Sequence, residues 1–90
     1  MRVYVKLFAT LQKIVNSEVI IEDAFNVKEV IQKLIKRYPL LEGELLDEKF
    51  ALRDDYIFLV NGRNIYFLDM ENTLLQNDDK IRIFPPIGGG

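Results

Sequence analysis

The chain of 90 residues contains no cysteine and no histidine. The first absence removes disulfides and thiolate chemistry. The second removes the commonest metal ligand and the commonest general base. An excess of one charge sign is missing as well: 12 basic against 14 acidic residues leave a formal charge of −2, with no basic stripe in the sequence. Nucleic acid is therefore not an expected partner. No apolar run approaches the roughly 20 residues needed to cross a bilayer, and the alternating start Met1-Arg2-Val3-Tyr4-Val5 is unlike a signal peptide. These absences give the expectation of a soluble cytoplasmic protein with no membrane partner, no metal site and little equipment for independent catalysis. What is present is a hydrophobic fraction of 49%, ordinary for one small folded domain.

Val3, Val5 and Leu7 alternate with Arg2, Tyr4 and Lys6, the period of a strand with one buried face, and the pattern continues into Phe8-Ala9. Glu18 to Glu22, rich in β-branched residues, is a second strand. The two form a hairpin with a long connection. Asn26 then stands at an N-cap position with Glu29 three residues on, as in a capping box. Val27, Val30, Ile31, Leu34, Ile35 and Tyr38 share one face of the helix that follows. Lys36 and Arg37 suit its C-terminal dipole, and Pro39 ends it.

Beyond Pro39, the leucines at 41, 45 and 46 suggest one or two helical turns interrupted by Gly43, followed by a loop around Phe50 and Leu52. Tyr56 to Val60 is apolar throughout and is expected to be a central strand. Asn61-Gly62 signals a tight turn. Ile65 to Leu68 could be another short strand, with Leu74-Leu75 packed below it. Asn77-Asp78-Asp79 is a turn, Lys80 to Phe84 the last strand, and Pro85-Pro86 closes it. The result is an α+β roll: a mixed sheet of four to five strands over one main helix, with the first and last strands side by side in the middle.

Several of these residues together resemble a known family. They are Val5-Lys6-Leu7-Phe8-Ala9, the helix closing in Arg37-Tyr38-Pro39, the strand ending Val60-Asn61-Gly62, and the segment from Asp79 through Phe84-Pro85-Pro86-Ile87 to Gly88-Gly89-Gly90. Over nearly the whole chain the pattern is similar to the β-grasp sulfur carriers (the MoaD/ThiS family), most of all to the small subunit of molybdopterin synthase. The Phe-Pro-Pro-aliphatic-x-Gly-Gly ending is the most specific part. Two departures stand out. Asn77-Asp78 replaces a common Asp-Gly, and the stretch 63–76 is longer than the family pattern.

The resemblance implies a ubiquitin-like β-grasp domain over residues 1–84 and a C-terminal sulfur-carrying tail over 85–90. It implies that a ubiquitin-activating-type enzyme spends ATP to adenylate Gly90, beside Gly89, and that sulfur then displaces AMP to leave a thiocarboxylate. A molybdopterin synthase large subunit would take that sulfur for the pterin dithiolene, this chain being a non-catalytic subunit that binds no cofactor itself. Phe8, Ile65, Phe84, Pro85, Pro86, Ile87 and Gly88 are the implied partner contacts. A sulfur carrier for thiamine thiazole, a ubiquitin-like modifier joined to other proteins through Gly90, and a plain interaction module remain as alternatives.

The residues themselves also admit plainer roles. Phe8 and Phe84 could equally be core, and for Ile65 core is the better reading from the residues alone. The acidic stretch Glu42, Glu44, Asp47, Glu48 reads as a solvated face. Lys6, Lys33, Lys36 and Lys80 are not distinguishable from ordinary surface lysines.

Overall fold

The protein is described by a computed structural model over residues 1–86. Five strands and one main helix supply most of the core, with Leu11, Leu41, Leu45, Ile65 and Leu75 added from short helical turns and loops. The strands are β1 (Arg2–Leu7), β2 (Val19–Glu22), β3 (Ile57–Val60), β4 (Arg63–Asn64) and β5 (Lys80–Phe84). The main helix is α1 (Val27–Arg37), and a short helix α2 (Glu42–Leu45) follows it. The sheet order is β2-β1-β5-β3-β4, with β1 and β5 parallel and every other pairing antiparallel. This is the expected β-grasp roll, with first and last strands adjacent at its centre.

The period-two pattern decides which face is covered. Val3, Val5 and Leu7 of β1 and Ile81 and Ile83 of β5 are almost fully buried. They meet Val27, Val30, Ile31 and Leu34 of α1, which are buried as well. The helix starts where its cap dictates: Asn26 Oδ1 accepts from the Glu29 amide at 2.8 Å. The reciprocal bond of the box lands one residue early, because Glu29 Oε1 accepts from the Phe25 amide at 2.7 Å. Pro39 ends α1 and begins a 3₁₀ turn, Pro39–Leu41.

Four local expectations change. Strand β1 stops at Leu7: Phe8 stays extended, but Ala9 has φ 55° and opens a 3₁₀ turn through Lys13. Gly43 does not interrupt the second helix but lies inside α2, whose Leu45 is fully buried together with Leu41 before it. Ile65–Phe67 is a 3₁₀ turn rather than a strand, because Asn64 Oδ1 captures the Tyr66 amide at 2.9 Å. Of the pair below it, only Leu75 is buried; Leu74 is 77% exposed.

The turns hold β5 in place. Asn61 and Gly62, at φ 51° and 83°, connect β3 to β4 in the conformation a two-residue hairpin needs. Asn61 also reaches sideways: its Oδ1 accepts from the Lys80 amide at 2.9 Å, and its Nδ2 donates to Asp79 at 2.8 Å. Asp78 takes the left-handed conformation at φ 69°, so the turn forms without the family's glycine. Asn77 Oδ1 accepts from the Arg2 amide at 2.9 Å, tying the start of β1 to the start of β5.

Two substitutions test this packing by chemical denaturation. Leu34→Ala should cost about 2–5 kcal/mol through the cavity it opens. Gly43→Ala should be neutral or stabilising by about 0.5 kcal/mol, since nothing lies within 4 Å of a Cβ there. A marked loss at Gly43 would restore the interrupted-helix expectation.

Candidate functional site

The parallel register of β1 and β5 pairs Leu7 with Ile83. One step further along, the Phe8 amide donates to the Ile83 carbonyl at 3.1 Å. Phe8 and Phe84 therefore emerge side by side, and their rings stack with centroids 4.4 Å apart and planes 12° from parallel. Both are half-buried, neither sealed in the core nor loose on the surface. The register of β3 adds Ile57 opposite Phe84, 40% exposed. Phe8, just past β1, with Phe84 of β5 and Ile57 of β3 thus form an apolar row at the end of the sheet where the chain leaves β5.

This row lies on the face away from α1. The same alternation that turns Val5, Leu7, Ile81 and Ile83 inward turns Tyr4, Lys6, Arg82 and Phe84 outward. Leu59 of β3, paired with Arg82, adds a further apolar side chain to the open face. The expected strand forms as β3, inside the sheet between β5 and β4, but only one of its faces is buried. Its burial alternates, and only the two-residue β4 lies beyond it. The strand is apolar on both sides because its second side belongs to this open row. That all-apolar run was the sequence signal for Ile57 and Leu59 as site residues, and periodicity alone assigned it to the core.

The implied contact residues divide. Phe8 and Phe84 come together, the neighbours expected once the first and last strands pair. Pro85 is buried at the base of the tail and Pro86 is exposed. Ile65 is only 2% exposed and packs in the core, so its side chain presents no surface to a partner. Ile87, Gly88, Gly89 and Gly90 lie outside the described residues.

Tyr56, just before Ile57, donates its hydroxyl to Glu44 at 3.0 Å. Burial first, then that carboxylate, push its pKa up to about 12, so it stays protonated at neutral pH. No cluster of three or more potential metal-ligating side chains occurs among the described residues, and no helix there is long and apolar enough to cross a membrane.

The stacked rings make a measurable prediction. In a double-mutant cycle, Phe8→Ala and Phe84→Ala should couple by about 0.5–1.5 kcal/mol in unfolding free energy. Additive effects would mean that the rings do not support each other.

Comparison with known proteins agrees with this geometry. A small archaeal modifier protein 3 from Haloferax volcanii is 30% identical over 93 aligned residues, covering all of both chains. The solution structure of small archaeal modifier protein 1 from Methanosarcina acetivorans superposes with a TM-score of 0.86 at 35% identity, over 99% of this chain and 96% of that one. A putative molybdopterin converting factor subunit 1 from Pyrococcus furiosus superposes at 0.71 with 28% identity, over 96% and 98%. The ThiS family model matches residues 5–90, and the chain belongs to that family of ubiquitin-like β-grasp sulfur carriers and modifiers.

Proposed function

We propose that this chain is a ubiquitin-like modifier that is joined to other proteins through Gly90. The observation that carries the proposal is the full-length similarity to a small archaeal modifier protein, in a chain whose sequence runs from Phe84-Pro85-Pro86 into three glycines. The chemistry explains the need for outside enzymes. A terminal carboxyl has a pKa of about 3.3–3.7 and is ionised at neutral pH, hence a poor electrophile. A ubiquitin-activating-type enzyme would let that carboxylate attack the α-phosphorus of ATP, releasing pyrophosphate and leaving an acyl-adenylate. A neutral lysine amine on the target then displaces AMP and forms the isopeptide bond.

The tail's composition suits that use. Glycine lacks a Cβ, so Gly88, Gly89 and Gly90 can follow a narrow channel closely. The prolines lack N–H donors and cannot extend the ladder of β5, and Pro-Pro favours an extended path away from the body. The row Phe8, Phe84 and Ile57, with Pro86 and Ile87, supplies the contact surface for the activating enzyme.

A second reading has its own support. The similarity to a molybdopterin converting factor subunit, together with Phe84-Pro85-Pro86, favours a sulfur carrier for a molybdopterin synthase large subunit. In that use a sulfur donor, not an amine, displaces AMP and Gly90 becomes a thiocarboxylate. Both uses share the adenylate.

The test takes the N-terminally tagged chain with its adenylating enzyme, ATP and a lysate of its own organism. Bands of higher mass that disappear when Gly90 is deleted are the expected outcome. A mass gain of one oxygen-to-sulfur exchange with no conjugates would transfer the assignment to the sulfur carrier. No ATP-dependent change at Gly90 would overturn both.

A further inference from the structure

The open sheet face carries a charge arrangement that folding alone does not favour. Lys6 of β1 and Arg82 of β5 stand directly opposite each other in register, and both point outward. Like charges at opposed positions of paired strands destabilise the pair. One step back, Lys80 stands opposite Tyr4. Arg82 is partly compensated: it lies 3.4 Å from Glu18 and donates to the Ile81 carbonyl at 3.1 Å. Neither Lys6 nor Lys80 takes part in any of the ion pairs formed among the described residues.

The placement is also against the overall balance. The chain has a formal charge of −2, yet Lys6, Lys80 and Arg82 gather on this face with Arg2, against Glu22 opposite Arg2 and Glu18 beside Arg82. The acidic side chains of the 42–55 segment, Glu42 through Asp55, belong to α2 and the loops around it instead. The cations also border the apolar row. The Lys6 ammonium sits 5.4 Å from the centre of the Phe8 ring, and Arg82 lies between Lys6 and Leu59 in the register.

We propose that this face selects protein partners whose socket for Phe8 and Phe84 is rimmed with carboxylates. An apolar centre with a charged rim is the anatomy of a protein–protein contact. Complementary rim charges mainly speed encounter and exclude wrong partners, and salt screens them. The two rings stack on each other and Lys6 lies against one of them, which makes them poor platforms for nucleic-acid bases. The inference rests on the activation of Gly90 proposed above and names the chemistry of the surface that receives this chain. The stability sacrificed at Lys6 and Arg82 is then the counterpart of faster docking.

The experiment measures loading of the intact chain by its adenylating enzyme, at salt from about 50 mM to about 0.5 M. For wild type, KM should rise with salt while kcat holds. Lys6→Glu/Lys80→Glu should raise KM about tenfold at low salt, flatten the salt dependence and spare kcat. Lys28→Glu/Lys49→Glu makes the same change in net charge elsewhere and should leave KM alone. Lys6→Glu should also melt at a higher temperature than wild type, since it turns a like-charge pair into an attractive one. Equal KM shifts for both double variants, or none for Lys6→Glu/Lys80→Glu, would overturn the charged-rim proposal while leaving Gly90 activation intact. Failure of wild type to form any adenylate would instead defeat the functional reading, and this inference with it.

Discussion

The parallel pairing of β1 with β5 is the contact on which the rest of the molecule depends. It joins the start of the chain to its end, at the centre of the sheet. Tyr4 pairs with Lys80, Val5 with Ile81 and Leu7 with Ile83, and the inward members of these pairs are buried almost completely. Closing so long a loop costs chain entropy, which grows only slowly with loop length, and the buried apolar area against α1 offsets it. The register then fixes everything at the exit. Phe8 and Phe84 are brought side by side because Phe8 continues the register just past β1, and their rings stack. Pro85 must follow immediately at the base of the tail.

This arrangement separates two tasks. The folded body offers a surface that needs little ordering on binding, built from half-buried rings and short strands. In the proposed function the glycine segment becomes an electrophile once activated, and glycines have no side chains to contribute contact area. Ordering a backbone costs roughly 1–2 kcal/mol per residue. In the proposed function, most of the affinity for the activating enzyme then comes from the sheet face.

Much of this was legible from the residues. The period of two in β1 and β5, the Asn26 cap, Pro39 and the Asn61-Gly62 turn each act locally, so their outcomes follow from nearby sequence. The misassigned parts depend on competition between local options or on the second face of the sheet. Asn64 could continue a strand or cap a turn, and its side chain took the Tyr66 amide. Gly43 could break a helix or sit within one, and buried Leu41 and Leu45 on either side carried the turn through it. Ile57 and Leu59 looked like core because apolar residues in a strand usually are, whereas here they extend an open row. For Ile65 the resemblance implied a contact where the residues favoured core, and the side chain is core. The family of the chain was legible in Phe84-Pro85-Pro86 and the glycines. The choice between modifier and molybdopterin-type carrier was not, since both uses place the same demand on Gly90.

Native-state hydrogen exchange tests the central dependence most directly. The amides of Tyr4 and Phe8, bonded to Asp79 and Ile83 of the β5 side, should exchange only through global unfolding and be among the slowest in the protein. The amide of Ala51, held by the Asp47 side chain in an exposed loop, should open far more easily. If the β1–β5 amides exchanged through a partial opening while α1 stayed protected, the pairing would not be what holds the fold and aims its tail.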